Sequence, residues 1–252
     1  MIPATFKIGP LTFHFYGLMI AAAIYLGWWF AKKRAHLFRI PLKIFDDPIL
    51  LIPLLLALIG ARAYHVIDFW SFYRADPLSI VNIAGGGLGI WGAIAGAIAG
   101  FAIVAKARKI DFLSACDLAG PSLLLGQAIG RIANYVNQEG FGPPTNLPWG
   151  VYISPDRRPT EFINFSRFHP TFFYEALLNF VFFLILFKMS SKSKFKGQTF
   201  AFYLIFYSMA RFISEFWRID TATIGSVKVA HLISVVVFMI GITIFSRQNR
   251  KT

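Results

Sequence analysis

Cysteine is almost absent from this chain: among 252 residues there is one, Cys116. A single thiol excludes an intrachain disulfide and any paired-cysteine metal or redox motif. Inside an apolar run, Cys116 reads as a small buried hydrophobe. Acid is scarce as well, with 12 Asp and Glu against 25 Lys and Arg, and all charged residues together make up only 15% of the chain. No two histidines have metal-ligand spacing of the HExxH kind. No internal repeat marks a transporter built from inverted halves. The N-terminus has no basic segment or small-residue cleavage site ahead of the first apolar run, so that run is expected to be a retained membrane helix.

What is abundant is apolar surface. Hydrophobic residues make up 56% of the chain, aromatics 17%, and 28 residues are phenylalanine. The mean hydropathy is +0.59, too high for an ordinary soluble domain. Apolar runs of about 20 residues, the length that spans a bilayer core, recur throughout. The expectation is an all-α integral membrane protein with seven transmembrane helices. The spans run about Leu11–Ala31, Ile49–Asp68, Gly85–Ala105, Phe112–Val136, Pro170–Met189, Gln198–Trp217 and Val227–Phe245. Residues 1–252 are read as a single polytopic membrane domain. The stretch 137–169 is read as a small extracytoplasmic head inserted between spans four and five. Its prolines and its Trp149, Phe162, Phe165 and Phe168 suit an ordered cap at the membrane surface.

The net charge of +13 does not point to nucleic acid, because the basic residues fall in short clusters between apolar runs, with no aromatic-interleaved basic face. Fifteen of the 25 lie on one side: Lys32, Lys33, Arg34, Arg39, Lys43, Lys106, Arg108, Lys109, Lys188, Lys192, Lys194, Lys196, Arg247, Arg250 and Lys251. The positive-inside rule makes that side cytoplasmic. The N-terminus is then outside and the C-terminus inside.

Against this background the polar residues within the spans stand out. Arg131 and Asn134 lie one turn apart near the end of span four. Tyr207, Arg211, Glu215 and Arg218 recur at helical spacing in span six, on one face. Span five opens with His169-Pro170-Thr171 and carries Glu175 a turn later. Span two holds Arg62 and His65, and span one His14 and Tyr16. An arginine or acid at mid-helix costs roughly 2.5–3.5 kcal/mol, which makes each a functional-site hypothesis. One reading has Arg211–Glu215 and Arg131–Glu139 neutralise each other and lock the bundle. The other starts from arginines that outnumber nearby acids, a surplus that would hold an anion, and arginine's planar fork suits phosphate. In a membrane cavity that phosphate belongs to a lipid head group. His169 reads as a residue capping the start of span five, and His231 as packed or interfacial. Gly92, Gly96 and Gly100 have the spacing of close helix packing. Gly85, Gly86 and Gly87 would let backbone N–H groups approach a ligand.

These residues also carry a family resemblance. Gly130-Arg131-Ile132-Ala133-Asn134-Tyr135-Val136-Asn137-Gln138-Glu139-Gly140-Phe141-Gly142 resembles the signature of the prolipoprotein diacylglyceryl transferases, and Pro144-Thr145 and Pro148-Trp149-Gly150-Val151 continue it. His14-Phe15-Tyr16-Gly17, Gly60-Ala61-Arg62, Gly86-Gly87-Leu88 with Gly92, His169-Pro170-Thr171 with Tyr174-Glu175, and Tyr207 through Arg211-Phe212 and Glu215-Phe216 are similar to its other motifs, in order along the chain.

The resemblance implies a multi-pass enzyme of the bacterial inner membrane that needs no metal or organic cofactor. Its substrates would be phosphatidylglycerol, a membrane lipid, and the signal peptide of a prolipoprotein with its lipobox cysteine. The diacylglyceryl group would pass to that thiol, forming a thioether and releasing glycerol phosphate. This would be the first step of lipoprotein maturation. By resemblance the catalytic set is Arg131, Arg211, Glu139, Glu215 and Asn134: the arginines on the phosphate, Asn134 orienting the head group or Arg131, the acids fixing the arginines or taking a proton. Substrate contacts fall to Arg131, Tyr16, Tyr207, Asn137, Gly142, His14, Arg62, Glu175, Arg218, Gly86, Gly87 and Trp91. Trp91 is a departure, because many family members have a histidine at that position, and an indole cannot accept a thiol proton. The proton acceptor then lies among Glu139, Glu215, His14 and His65, or the arginine field alone lowers the thiol pKa. A lipid or small-anion transporter would also line a cavity with arginines and is the alternative reading.

Overall fold

The computed structural model describes residues 5–9, 11–83 and 86–249. Gly85, Arg250 and Lys251, named above, lie outside them. A hairpin of β1 (Thr5–Ile8) and β2 (Leu11–His14) leads into α1 (Phe15–Arg34), and α2 (Leu51–Asp68), the short α3 (Trp70–Tyr73), α4 (Ile90–Ala107) and α5 (Phe112–Asn137) follow. The two-residue strands β3 (Val151–Tyr152) and β4 (Arg167–Phe168) precede α6 (Thr171–Met189) and α7 (Gln198–Glu215). A second small hairpin, β5 (Thr223–Ile224) and β6 (Val227–Lys228), turns into α8 (Val229–Asn249). Among the described residues six helices (α1, α2, α4, α5, α6 and α8) are long and apolar enough to cross a membrane. Their exposed Leu, Ile, Val and Phe side chains suit lipid as solvent. The chain is a multi-pass, mainly helical membrane protein.

The first expected span begins four residues late. Leu11–His14 pairs with Thr5–Ile8 as an antiparallel ladder. Gly9 makes the turn at φ +59°, a conformation glycine adopts without penalty. The apolar–polar alternation of Leu11-Thr12-Phe13-His14 suits a strand, and pairing with Thr5–Ile8 outweighs its apolar content.

The chain divides into two compact units, one of residues 38–115 and one of residues 1–37 with 116–252. In the first, α2 and α4 pack backbone to backbone. A Cβ added to Gly60 would strike the Gly92 carbonyl, one at Gly96 the Leu56 carbonyl, and one at Gly100 the Pro53 backbone. This is the close approach expected of the glycine stripe.

In the second unit, Gly27 of α1 approaches α5, where the Ser122 hydroxyl donates to the Gly27 carbonyl at 2.9 Å. Leu124, Leu125, Phe183, Leu186 and Tyr203, from α5, α6 and α7, form its apolar core. Asp117 of α5 is 1% exposed and accepts from the Gly197 and Phe200 amides at 2.6 and 2.8 Å. It caps the start of α7, where free amides and the helix dipole favour an anion. The segment between α5 and α6 packs Phe141, Ile153, Phe168 and Phe172 into a small core. Of the aromatics expected to anchor it, Phe168 is buried and Phe162 half-buried, whereas Trp149 and Phe165 are exposed.

Candidate active site

Arg131, Glu175, Arg211 and Glu215 meet where the ends of α5, α6 and α7 come together. Glu175, one turn into α6, is 1% exposed. Its Oε1 lies 2.8 Å from Arg131 Nε and its Oε2 3.3 Å from Arg211 Nη1. Arg211 extends the chain of charges along its own helix, with Nη2 2.6 Å from Glu215 Oε2 four residues on. Glu215 is fully buried and also accepts from the Thr221 hydroxyl. Taking a carboxylate out of water costs several kcal/mol unless it is paired and hydrogen-bonded. Each oxygen of Glu175 lies within ion-pair distance of its own arginine, with a hydrogen bond from Arg211 to Oε2, and Glu215 has an arginine ion pair and a hydroxyl donor.

Around this cluster stand the other signature residues. With the Asn134 amide oriented to satisfy its neighbours, its oxygen accepts from Arg131 Nη1 at 3.2 Å and its nitrogen donates to the Gly130 carbonyl at 3.3 Å. The Asn137 amide donates to Glu139 Oε1 at 3.2 Å. Tyr16, in the first turn of α1, lies in the electrostatic field of Glu139 and Arg131. Tyr207 lies in that of Glu175, Arg131 and Arg211, its ring stacked on Tyr203 with centroids 6.1 Å apart. Gly142 runs so close to the Trp217 carbonyl and the His169 side chain that a Cβ would fall 2.5 and 2.9 Å from them.

Other expected site residues are placed differently. Arg62, His65, Gly86, Gly87 and Trp91 belong to the 38–115 unit. There Arg62 is buried and donates to the carbonyls of Ile80, Gly86, Gly87 and Ser79 at 2.5–3.0 Å. It ties down a loop whose Gly86 and Gly87 take φ +89° and +77°. Trp91, in the first turn of α4, is 49% exposed. His14 occupies the N-cap position of α1 without capping it through its side chain. His169 Nδ1 is 3.0 Å from the Tyr174 hydroxyl, which accepts from Trp149 Nε1 at 3.0 Å. Arg218 is paired with Asp220 at 3.1 Å.

Two expectations are corrected by this geometry. Arg131 pairs with Glu175, not with Glu139, because the α6 face meets α5 while the chain turns away after Asn137. The cluster also has no surplus cation: Glu175 and Glu215 balance Arg131 and Arg211 in formal charge. What distinguishes Arg131 is access. Its side chain is 26% exposed, against 15% for Arg211 and 2% or less for the two carboxylates. Asp220, Thr221 and Lys228 escaped the sequence reading altogether. They lie beyond the last apolar motif residue, and only the fold brings them back to the site.

The helices and the arginine–carboxylate cluster between them define a class: a multi-pass membrane protein with a charged, largely buried polar cluster where three helix ends meet. The particular family follows from comparison. The sequence model of the prolipoprotein diacylglyceryl transferases matches residues 3–247. A phosphatidylglycerol–prolipoprotein diacylglyceryl transferase of Thermosynechococcus vestitus is 39% identical over 241 residues, covering 94% of this chain and 89% of the relative. Proteins of the same name from Finegoldia magna and Bacillus cereus are 37% and 36% identical, covering 94% and 97% of this chain and 92% and 91% of the relatives. This chain belongs to the prolipoprotein diacylglyceryl transferase family.

Proposed function

We propose that this chain transfers the diacylglyceryl group of phosphatidylglycerol to the lipobox cysteine of a prolipoprotein at the outer face of the bacterial inner membrane. In the reaction a carbon–sulfur bond forms and the carbon–oxygen bond to phosphate breaks. The thiol proton passes to an acceptor, and glycerol phosphate leaves. The observation that carries this reading is Arg131, held by Glu175 Oε1 at 2.8 Å yet the most exposed charge of the cluster.

Phosphate gains negative charge as the carbon–oxygen bond breaks, and a fixed guanidinium aimed at it lowers the barrier. Glu175 fixes the direction of Arg131 through its Nε, and Asn134 supports Nη1. Arg211, locked on both sides by Glu175 and Glu215, adds positive potential from behind. Tyr16 and Tyr207, which lie in the field of Arg131, would hydrogen-bond the lipid head. The cysteine thiol, with an ordinary pKa of about 8.5, must lose its proton to attack carbon. Glu175 and Glu215 are committed to arginines, which leaves Glu139, beside the cluster and bonded to the Asn137 amide, to take that proton.

The topology that serves this chemistry has seven spans, with α7 crossing despite its charges. The site then opens outward, beneath a head of residues 137–169 on a single polytopic domain. The N-terminus is outside and the C-terminus cytoplasmic.

The test combines purified protein, labelled phosphatidylglycerol in vesicles and a lipobox peptide. Diacylglyceryl–peptide and glycerol phosphate are expected in equal amounts. Arg131→Ala is expected to lower transfer by roughly 10²–10³-fold while still inserting. Lipid movement without peptide modification would favour a transporter and sink the proposal.

A further inference from the structure

Beyond the last family motif, the α7–α8 connection folds back on the signature run. Asp220 sits at the contact. Its Oδ2 accepts from the Gly140 amide at 2.8 Å. Its Oδ1 accepts from both Nε and Nη2 of Arg218 at 3.1 Å. Gly140 follows Glu139 directly and takes φ +71°, after Gln138 at φ +53°. This turn therefore has left-handed backbone that needs an outside anchor. A Cβ on Gly140 would lie 3.2 Å from Asn134 and 3.6 Å from Arg218. The Gly140 carbonyl accepts from the Thr171 hydroxyl at 3.0 Å, and Thr171 opens the helix that carries Glu175.

The same connection holds Glu215 from two directions. Thr221 donates to its side chain, and Lys228 Nζ donates to the carbonyls of Glu215 and Arg218, both at 2.6 Å. The end of α7, the turn after α5 and the start of α6 are thus fastened within one hydrogen-bonded knot. The first carries Arg211 and Glu215, the second Glu139 directly after the helix that holds Arg131, and the third Glu175.

We infer that Asp220 is a positioning residue for the transfer reaction. Its carboxylate, oriented by Arg218, locks the Gly140 turn and so sets Glu139 and the end of α5 against the Arg211–Glu215 face of α7. A charge-assisted bond to a backbone amide suits this task, being short and directional. Arg218 acts here through Asp220 and not on the lipid phosphate.

This inference rests on the proposed transfer activity, and the experiment separates the two. Wild type, Asp220→Ala and Asp220→Asn are compared for kcat, KM, thermal unfolding and amide hydrogen exchange at Gly140. Asp220→Ala is expected to lose roughly 10–100-fold in kcat, the scale of a displaced catalytic group, with KM nearly unchanged. Gly140 exchange should be faster while the bulk of the helices stays protected. Asp220→Asn keeps an oxygen for the Gly140 amide and is expected to retain kcat within about fivefold of wild type. Arg218→Ala combined with Asp220→Ala should be no worse than the more damaging single change.

Unchanged Gly140 exchange in Asp220→Ala overturns the inference whether or not any variant is active. So does unchanged kcat in an active background, a loss that follows the folded fraction, an Asn variant as poor as the Ala variant, or additivity with Arg218→Ala. A wild-type protein that forms no thioether, with Gly140 exchange responding as expected, defeats the transfer reading alone.

Discussion

Glu175 shows how one side chain decides what its neighbours do. Its oxygens lie 2.8 and 3.3 Å from two different arginines, and its own side chain is almost wholly buried. Replacing it by alanine leaves Arg131 and Arg211 facing each other without the intervening charge. Breaking a buried pair in this way costs about 3–5 kcal/mol, so Glu175→Ala is expected to unfold at markedly lower temperature in detergent. Glu175→Gln preserves shape and one acceptor and should lose less stability, yet it should still lose transfer because Arg131 is no longer held by a charge. Arg131→Lys asks a different question. Lysine keeps the cation but not the planar fork, so an inserted, stable protein with transfer reduced by about 10²-fold is expected in the lipobox-peptide assay. The cost of burying charge made Arg131 and Arg211 legible in the sequence, and helical spacing made Arg211–Glu215 legible as a pair. The role of Glu175 was not, because its pairs link residues from different helices. No spacing rule encodes which helix face meets which.

Each helix of the 38–115 unit depends on its neighbour for close approach. Gly92 and Gly96 of α4 bring that helix so near α2 that a methyl group would overlap the carbonyls of Gly60 and Leu56. Gly96→Leu is therefore expected to force the helices apart and lower stability by about 1–3 kcal/mol, read as a lower midpoint of thermal unfolding. The connection before α2 carries a pH-dependent clasp. Asp47 accepts from the Ile49 amide at 3.0 Å and from Arg108 Nε at 2.7 Å. The backbone bond first, and Arg108 after the opposing effect of desolvation, hold its carboxyl below the usual range. A depressed folded-state pKa contributes stability that is present above the unfolded value near 4 and disappears as pH falls through the folded value. Protease cleavage near Asp47 should therefore rise on acidification below about pH 4. Asp47→Asn should flatten that dependence, and an equally steep rise in the variant would refute the clasp. At this scale the sequence read well: apolar length located six of the helices, and the Gly92–Gly96–Gly100 spacing foretold a close helix contact, whose partner α2 only the fold supplies. It failed at Leu11–His14, where strand pairing with Thr5–Ile8 depends on a partner segment that an apolar-run reading does not weigh.

The whole molecule poses the problem of α7. Six helices are apolar enough to span a membrane by composition, whereas α7 carries Arg211 and Glu215 in its second half. Arg211 is paired with Glu175 and Glu215, and Glu215 also accepts from Thr221, so these charges are satisfied within the protein, the condition under which a helix carrying them can cross a bilayer. Basic clusters along the chain suggested an orientation, but the division into two compact units had no counterpart in the sequence reading, which took residues 1–252 as one membrane domain. Orientation and the crossing of α7 can be tested together. Cys116 is buried, and a Cys116→Ser background leaves the chain without thiols. Single cysteines are then placed at Arg157 in the head, at Lys194 before α7 and at Ile224 after it, all exposed positions. A membrane-impermeant maleimide added to intact spheroplasts is expected to label Arg157→Cys and Ile224→Cys, but Lys194→Cys only after permeabilisation. Labelling of Lys194→Cys and Ile224→Cys from the same side would mean that α7 does not cross. The arginine–carboxylate cluster would then have to be reached from a different face. Labelling of Lys194→Cys alone in intact cells would instead preserve the crossing and invert the orientation. The site would then face the cytoplasm, away from the side on which the proposed transfer takes place.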